Sequence, residues 1–138
     1  MVNSVLIDSD IILDSLLNRQ PFSDNSSKIL SLCEKKKING FITGVMIANI
    51  YYLLKKEHDS QRILATIKRL LTFLDILVID KKMILAAIDS EFADFEDAIQ
   101  NFSAENNGSI TAIITRNIKD YKKSKLSVLT PEMFLSTL

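Results

Sequence analysis

The chain has little of what punctuates or staples a fold. Three glycines and two prolines in 138 residues argue against a turn-rich all-β architecture and against disorder. One cysteine, Cys33, excludes an intrachain disulfide and any cysteine-rich zinc site, and it fits a reducing compartment. The one histidine, His58, lies in the polar stretch KKEHDS and reads as a surface residue rather than a general base. Neither sign of charge is in excess: 17 Lys and Arg balance 17 Asp and Glu. A polyanionic partner would therefore have to meet local patches rather than a net field. No apolar run approaches the length of a membrane span, and the opening MVNSVLID does not read as a signal peptide. A cytoplasmic protein is expected. The chain carries neither G-x-G-x-x-G nor a P-loop, and no G-x-S-x-G elbow.

What is present is a 47% hydrophobic, 25% charged chain, enough for a sizeable core and of a length that points to a single domain over residues 1–138. SVLID (4–8) and GFIT (40–43) predict short buried strands, as do DILVID (75–80), SITAIIT (109–115) and LSVLT (126–130). Between them the patterning predicts helices over 11–18, from Pro21 to about Lys37, over 44–57, 59–74 and 81–90, and through DFEDAIQNFSAENNG. A last helix follows Pro131. Ile29, Leu30, Leu32 and Cys33 are expected to face inward, and Phe95, Ile99 and Phe102 to form an apolar stripe. Apolar strands alternating with helices imply a parallel sheet covered on both faces, with ligands bound beyond the carboxyl ends of the strands. Asp8 and Thr115 stand at two such ends.

The acids are the chemistry-bearing residues. SVLIDSDIILDSLL sets Asp8, Asp10 and Asp14 into an apolar run, where an unpaired carboxylate is costly. A second cluster, DSEFADFED, places Asp94 and Asp97 three residues apart on one helical face. If the first and fourth strands are neighbours, Asp8 and Asp97 converge, with Asn117 and Asp120 at the same edge. Two carboxylates about 5 Å apart repel by roughly 3 kcal/mol at an effective dielectric near 20. Such a group needs protons or a cation, and oxygen ligands alone suit Mg²⁺ or Mn²⁺. The plainer readings make Asp10 a helix cap, Asp14 a hydrogen-bonded support, Glu91 and Glu96 a solvated face, and Asp94 either an N-cap or a ligand. Arg116, Lys119, Lys122, Lys123 and Lys125 cluster beyond the fourth strand. They would grip a nucleic-acid backbone there, or merely solubilise a loop.

VLIDSDIILD, FITGVMIANIYYLL, DFEDAIQ, AIITRNIKDY and VLTPEMFL, in this order from about residue 4 to residue 135, resemble the PIN-domain nucleases. The resemblance implies a three-layer α/β/α sandwich around a short parallel sheet and an acid cluster that binds Mg²⁺ or Mn²⁺. It also implies a ribonuclease, with the toxin of a toxin–antitoxin pair as the model. Toxins of that kind often dimerise and are blocked by an antitoxin protein over the active-site groove. The family's strand-one acid falls on Asp8, and the acid that begins the helix before strand four falls on Asp97. Asp94 is an additional acid of the kind some members carry beside it. The Thr-x-Asp after strand four reads Thr115-Arg116-Asn117 here, so an amide stands in for an acid and Asp120 is the candidate replacement. The acid of the helix after strand two falls on Asn49, which brings a carbonyl oxygen but no charge. The metal ligands implied are thus Asp8, Asp97 and Asp94. Asp120 joins the catalytic set, and Asp10, Asn49, Thr115 and Asn117 support it. The two asparagines leave a second reading, a weakly active or inactive module that binds RNA or protein. A third rests on DSDII, which resembles the D-x-D opening of haloacid-dehalogenase-type phosphatases.

Overall fold

The short apolar runs become the strands of one sheet. The computed structural model describes residues 2–138 and contains β1 (Asn3–Ile7), β2 (Ile38–Thr43), β3 (Leu74–Leu77), β4 (Ile110–Ile114) and β5 (Ser127–Leu129). They lie in the order β3-β2-β1-β4-β5, and every neighbouring pair is parallel. β1 is central, and its Val5, Leu6 and Ile7 are wholly buried. This is why its sequence is a continuous apolar run rather than an alternating one.

Seven α-helices cover the sheet: α1 (Ser9–Leu16), α2 (Ser23–Glu34), α3 (Gly44–Leu54), α4 (Ser60–Leu70), α5 (Lys81–Ile88), α6 (Phe95–Asn106) and α7 (Pro131–Leu135). α1 packs on α2 and α3, α2 on α7, and α3 on α4, while α5 packs on α6 and α6 on a 3₁₀ turn at Ile118–Tyr121. The connections β1-α1-α2-β2 and β2-α3-α4-β3 run outward in one direction. β3-α5-α6-β4 returns across the sheet, and right-handed crossovers then put the two groups on opposite faces. The chain is thus an α/β/α sandwich. The larger core lies between the sheet and the α1–α4 layer. A smaller one, Ala87, Ala98 and Ile99 with Ile79, Phe92 and Phe102 against them, lies on the α5–α6 side. No helix among the described residues is long and apolar enough to cross a membrane.

Gly40 is where β2 meets α2. A Cβ there would stand 2.6 Å from Cys33 Sγ, 2.7 Å from Leu74 Cδ2 and 2.9 Å from Ile7 Cδ1, so the layer spacing requires the missing side chain. Cys33 is core, as expected, and burial pushes its thiol up to about 12.

Several boundaries differ from the sequence expectation. α1 begins at Ser9 and its N-cap is Asp8, so Asp10 is not the cap but a first-turn residue. α2 begins at Ser23 rather than Pro21, because Arg19 O first accepts from the Phe22 and Ser23 N–H groups in a tight turn. β3 ends at Leu77, and Val78 is 72% exposed. Phe95 is 51% exposed at the start of α6, so the inward stripe of that helix is Ala98, Ile99 and Phe102 instead. Leu32 is only partly buried at the edge of the core.

Candidate active site

Because β1 and β4 are adjacent, their carboxyl ends open side by side at the point where the strand order reverses, the usual ligand crevice of such sheets. Asp8 leaves β1 there. Its backbone N–H donates to Ile114 O at 2.9 Å. Its Oδ1 accepts from Ser9 N at 2.8 Å as the α1 cap, and its Oδ2 accepts from Thr115 Oγ1 at 2.9 Å. Thr115 is fully buried. Its Oγ1 also accepts from Asn117 N at 3.1 Å, which turns the chain sharply after β4. Asp8 is therefore clamped between two strand ends in a single orientation.

Asp10 projects from the first turn of α1. Its Oδ2 accepts from Arg116 N and from Asn117 Nδ2, both at 3.2 Å. Its Oδ1 is buried with no hydrogen-bond partner. Asp94 caps α6 by accepting from Asp97 N at 2.9 Å. Its place in the fold is thus to fix the turn that presents Asp97. Asp97 itself is half-buried and its Oδ1 is 3.3 Å from the hydroxyl of Tyr121, which lies 3.0 Å from Gln100 Oε1 as well. Tyr121 and Gln100 are buried, and neither was among the residues singled out in the sequence. The only trace of Tyr121 there is an aromatic residue inside the charged run RNIKDYKK.

The carboxylates act on one another. Burial raises the Asp8 carboxyl above its ordinary range, against hydrogen bonds from Thr115, Ser9 and Tyr121, and the Asp120 charge raises it further. Asp10 is pushed up to about 7, first by burial and then by the charge of Asp8. Asp97 is also pushed up to about 7, by burial, by Asp8 and by Asp94, with a smaller push from Asp120. The negative charges of Asp8 and Asp97 in turn raise the Tyr121 phenol beyond what burial does, so it stays a neutral donor. Asp8, Asp10, Asp97 and Asp120 thus form one electrostatic unit.

The donor set is carboxylate, amide and hydroxyl oxygen, which suits a hard cation. Among the described residues no three His, Cys, Asp or Glu side chains are close enough to close on one ion. That is compatible with Mg²⁺, which keeps several waters and is held by one or two carboxylates plus substrate phosphates. The orphaned Asp10 Oδ1 offers such a water an acceptor. Asn49 is exposed on α3, and its Nδ2 donates to Glu96 Oε2 on α6 at 3.0 Å. The expected solvated face of Glu96 therefore carries an interhelical contact.

The expected RNA-binding cations separate. Arg116 is engaged within the fold. Its Nε and Nη2 donate to Asp14 Oδ2 and Oδ1 at 2.8 and 2.9 Å, and its guanidinium lies 4.1 Å from the centre of the Phe22 ring. Asp14 is fully buried, and Arg19 stands 3.6 Å away. The fully buried Asp14 carboxylate is thus offset by two guanidiniums, Arg116 hydrogen-bonded to it and Arg19 further off. Lys123 pairs with Glu91 at 3.5 Å. Lys119, Lys122 and the carboxylate-bearing Asp120 are exposed around the 3₁₀ turn.

A family model described as PIN domain matches residues 4–119. No curated protein of similar sequence matches. Among solved structures, DNA-bound VapBC from Salmonella typhimurium is similar, with 15% identity, a TM-score of 0.71 and coverage of 95% of this chain and 99% of that one. VapBC2 from Rickettsia felis bound to a promoter DNA fragment has 16% identity and a TM-score of 0.66, covering 91% of this chain and 96% of that one. PAE2754 from Pyrobaculum aerophilum has 15% identity and a TM-score of 0.63, covering 98% of this chain and 88% of that one.

Proposed function

Since the chain belongs to the PIN-domain family, matched over residues 4–119, we propose that it is a divalent-metal-dependent endoribonuclease and the toxin of a toxin–antitoxin pair. The observation that carries this reading is the convergence of Asp8 and Asp97, remote in sequence, at the adjacent β1–β4 edge, where the Tyr121 hydroxyl reaches Asp97 and the charge of Asp8 raises the Asp97 carboxyl. The two VapBC structures with DNA among the similar structures support a partner protein for this chain. A second copy of the chain is a further partner on this reading.

Asp8 and Asp97 would hold Mg²⁺ or Mn²⁺ with Asp94 behind them. When bound, such an ion polarises a phosphoryl oxygen and lowers the pKa of a coordinated water. The protein's own groups do the positioning. Thr115 and Ser9 fix the Asp8 carboxylate, Tyr121 holds Asp97, and Asn117 holds Asp10. The buried, unpartnered Asp10 Oδ1 would carry the proton that the raised Asp10 carboxyl keeps. Asp120 supplies the charge that Asn117 lacks. Lys119 and Lys122 meet backbone phosphates beside the acids, and Lys123 joins them once released from the exposed Glu91 pair.

The test is cleavage of a panel of structured RNAs in Mn²⁺ by the wild-type chain and by Asp8→Asn. The variant is expected to lose cleavage while keeping its circular dichroism. Undiminished cleavage by Asp8→Asn overturns the assignment. A non-catalytic RNA- or protein-binding module is the second reading. It is favoured by the exposed amide of Asn49 where the family pattern has an acid, and it predicts neither cleavage nor Mn²⁺ binding in the wild-type chain.

A further inference from the structure

Beside the acids lies a cavity of about 320 Å³ among Phe22, Asn25, Ser26, Arg116, Pro131 and Glu132. It shares a wall with the acidic site, since Arg116 donates its backbone N–H to Asp10 and its guanidinium to Asp14 one turn further along α1. It opens beyond β4 and β5, at the same sheet edge as Asp8.

Its chemistry selects against a phosphate. The guanidinium is already neutralised bidentately by a fully buried carboxylate, and Glu132 adds an exposed negative charge. What remains is a cation–aromatic pair, Arg116 over Phe22, each side chain still partly exposed, a buried proline face at Pro131, the half-buried amide of Asn25 and the buried Ser26 hydroxyl, which has no partner. Guanidinium and aromatic planes stack on unpaired RNA bases. A carboxylate has acceptors only, so it matches an edge that carries adjacent N–H donors. Guanine presents N1–H and N2–H₂ on one edge and the acceptors O6 and N7 towards an amide donor such as Asn25. No other RNA base offers Glu132 two adjacent donors.

We propose that this cavity is a guanine-binding pocket for single-stranded RNA, with Glu132 and Asn25 reading the base edge and Arg116 with Phe22 forming the stacking platform. The assignment rests on the ribonuclease reading above and names the substrate feature that selects the cut. Arg116 touches the base in it, and Asp14 is the positioning residue, since its two hydrogen bonds fix the guanidinium plane.

The experiment is a calorimetric titration of the wild-type chain in EDTA with guanosine, adenosine, cytidine and uridine 5′-monophosphates, repeated with Glu132→Gln and Asn25→Ala. Guanosine monophosphate is expected to bind tightest, and each variant to weaken it by about tenfold or more, the lower end of one bidentate base contact. Mapping of RNA cuts in Mn²⁺ should show guanine at one fixed place beside the cleaved bond, a preference lost in Glu132→Gln. Mononucleotides that bind alike, fail to bind, or bind without regard to Glu132 and Asn25 overturn the pocket. Guanine binding that depends on Glu132 in a protein that cuts no RNA sustains the pocket and defeats the nuclease reading. Asp8-dependent cutting with a base preference unmoved by both variants does the reverse.

Discussion

Asp8 caps a helix and faces the acidic crevice with the same carboxylate, and its neighbours register that double role. Asp10 and Asp97 titrate at about 7 in the folded chain against an ordinary 3.8. Between those values the folded state keeps protons that the unfolded chain has released, so stability falls as pH rises through that window and levels off above it. The metal-free protein should therefore melt at a higher temperature at pH 5 than at pH 8. Asp97 is half exposed and screened, so relief of its repulsion is on the order of 1 kcal/mol. Asp97→Asn should then raise the melting temperature at pH 8 by about 3–5 °C and shrink the difference between the two pH values. A melting temperature that rises steadily from pH 5 to pH 8 contradicts this. Tyr121→Phe removes a donor that favours the ionised Asp97, so the Asp97 carboxyl should titrate at still higher pH in a side-chain carbon NMR titration.

At the scale of elements, the Asp14–Arg116 pair ties α1 to the loop after β4. Arg116→Ala leaves a fully buried carboxylate with only Arg19 at 3.6 Å. By the cost of breaking a buried pair, it should destabilise the fold by about 3 kcal/mol in urea unfolding. A loss under about 0.5 kcal/mol would mean that the pair does no structural work. Gly40→Ala should cost about 1–3 kcal/mol through overpacking against Cys33, Leu74 and Ile7. The central strands were legible because their apolar runs are buried on both faces, and most helices because their apolar residues recur along one stripe. The caps were less so: periodicity places a helix within a residue or two, and that error moved the cap of α1 from Asp8 to Asp10. The Arg116–Asp14 pair was not legible for a different reason. The apolar run around Asp14 signals a carboxylate in need of a partner, but the partner is remote in sequence and nothing local names it.

For the whole molecule, the order β3-β2-β1-β4-β5 is what brings residues from opposite ends of the chain to one edge. Their meeting was inferable from the sequence only by supposing that β1 and β4 are neighbours, and the sheet places them so. Tyr121, Gln100 and the cavity beneath Arg116 were not inferable in that way, because they depend on how the loop after β4 folds back over α6 and α2. The zero net charge conceals the gathering that matters, that of Asp8, Asp10, Asp97 and Asp120 into one acidic unit. The account stands on that crevice as a divalent-cation site. It is tested most directly by titrating Mn²⁺ into the wild-type chain, Asp8→Asn and Asp97→Asn under one buffer condition and following the heat of binding. Saturable binding by the wild-type chain, weakened by about tenfold or more in each variant, is the predicted result. Binding that is absent from the wild-type chain, or that is equally tight in all three, would contradict it.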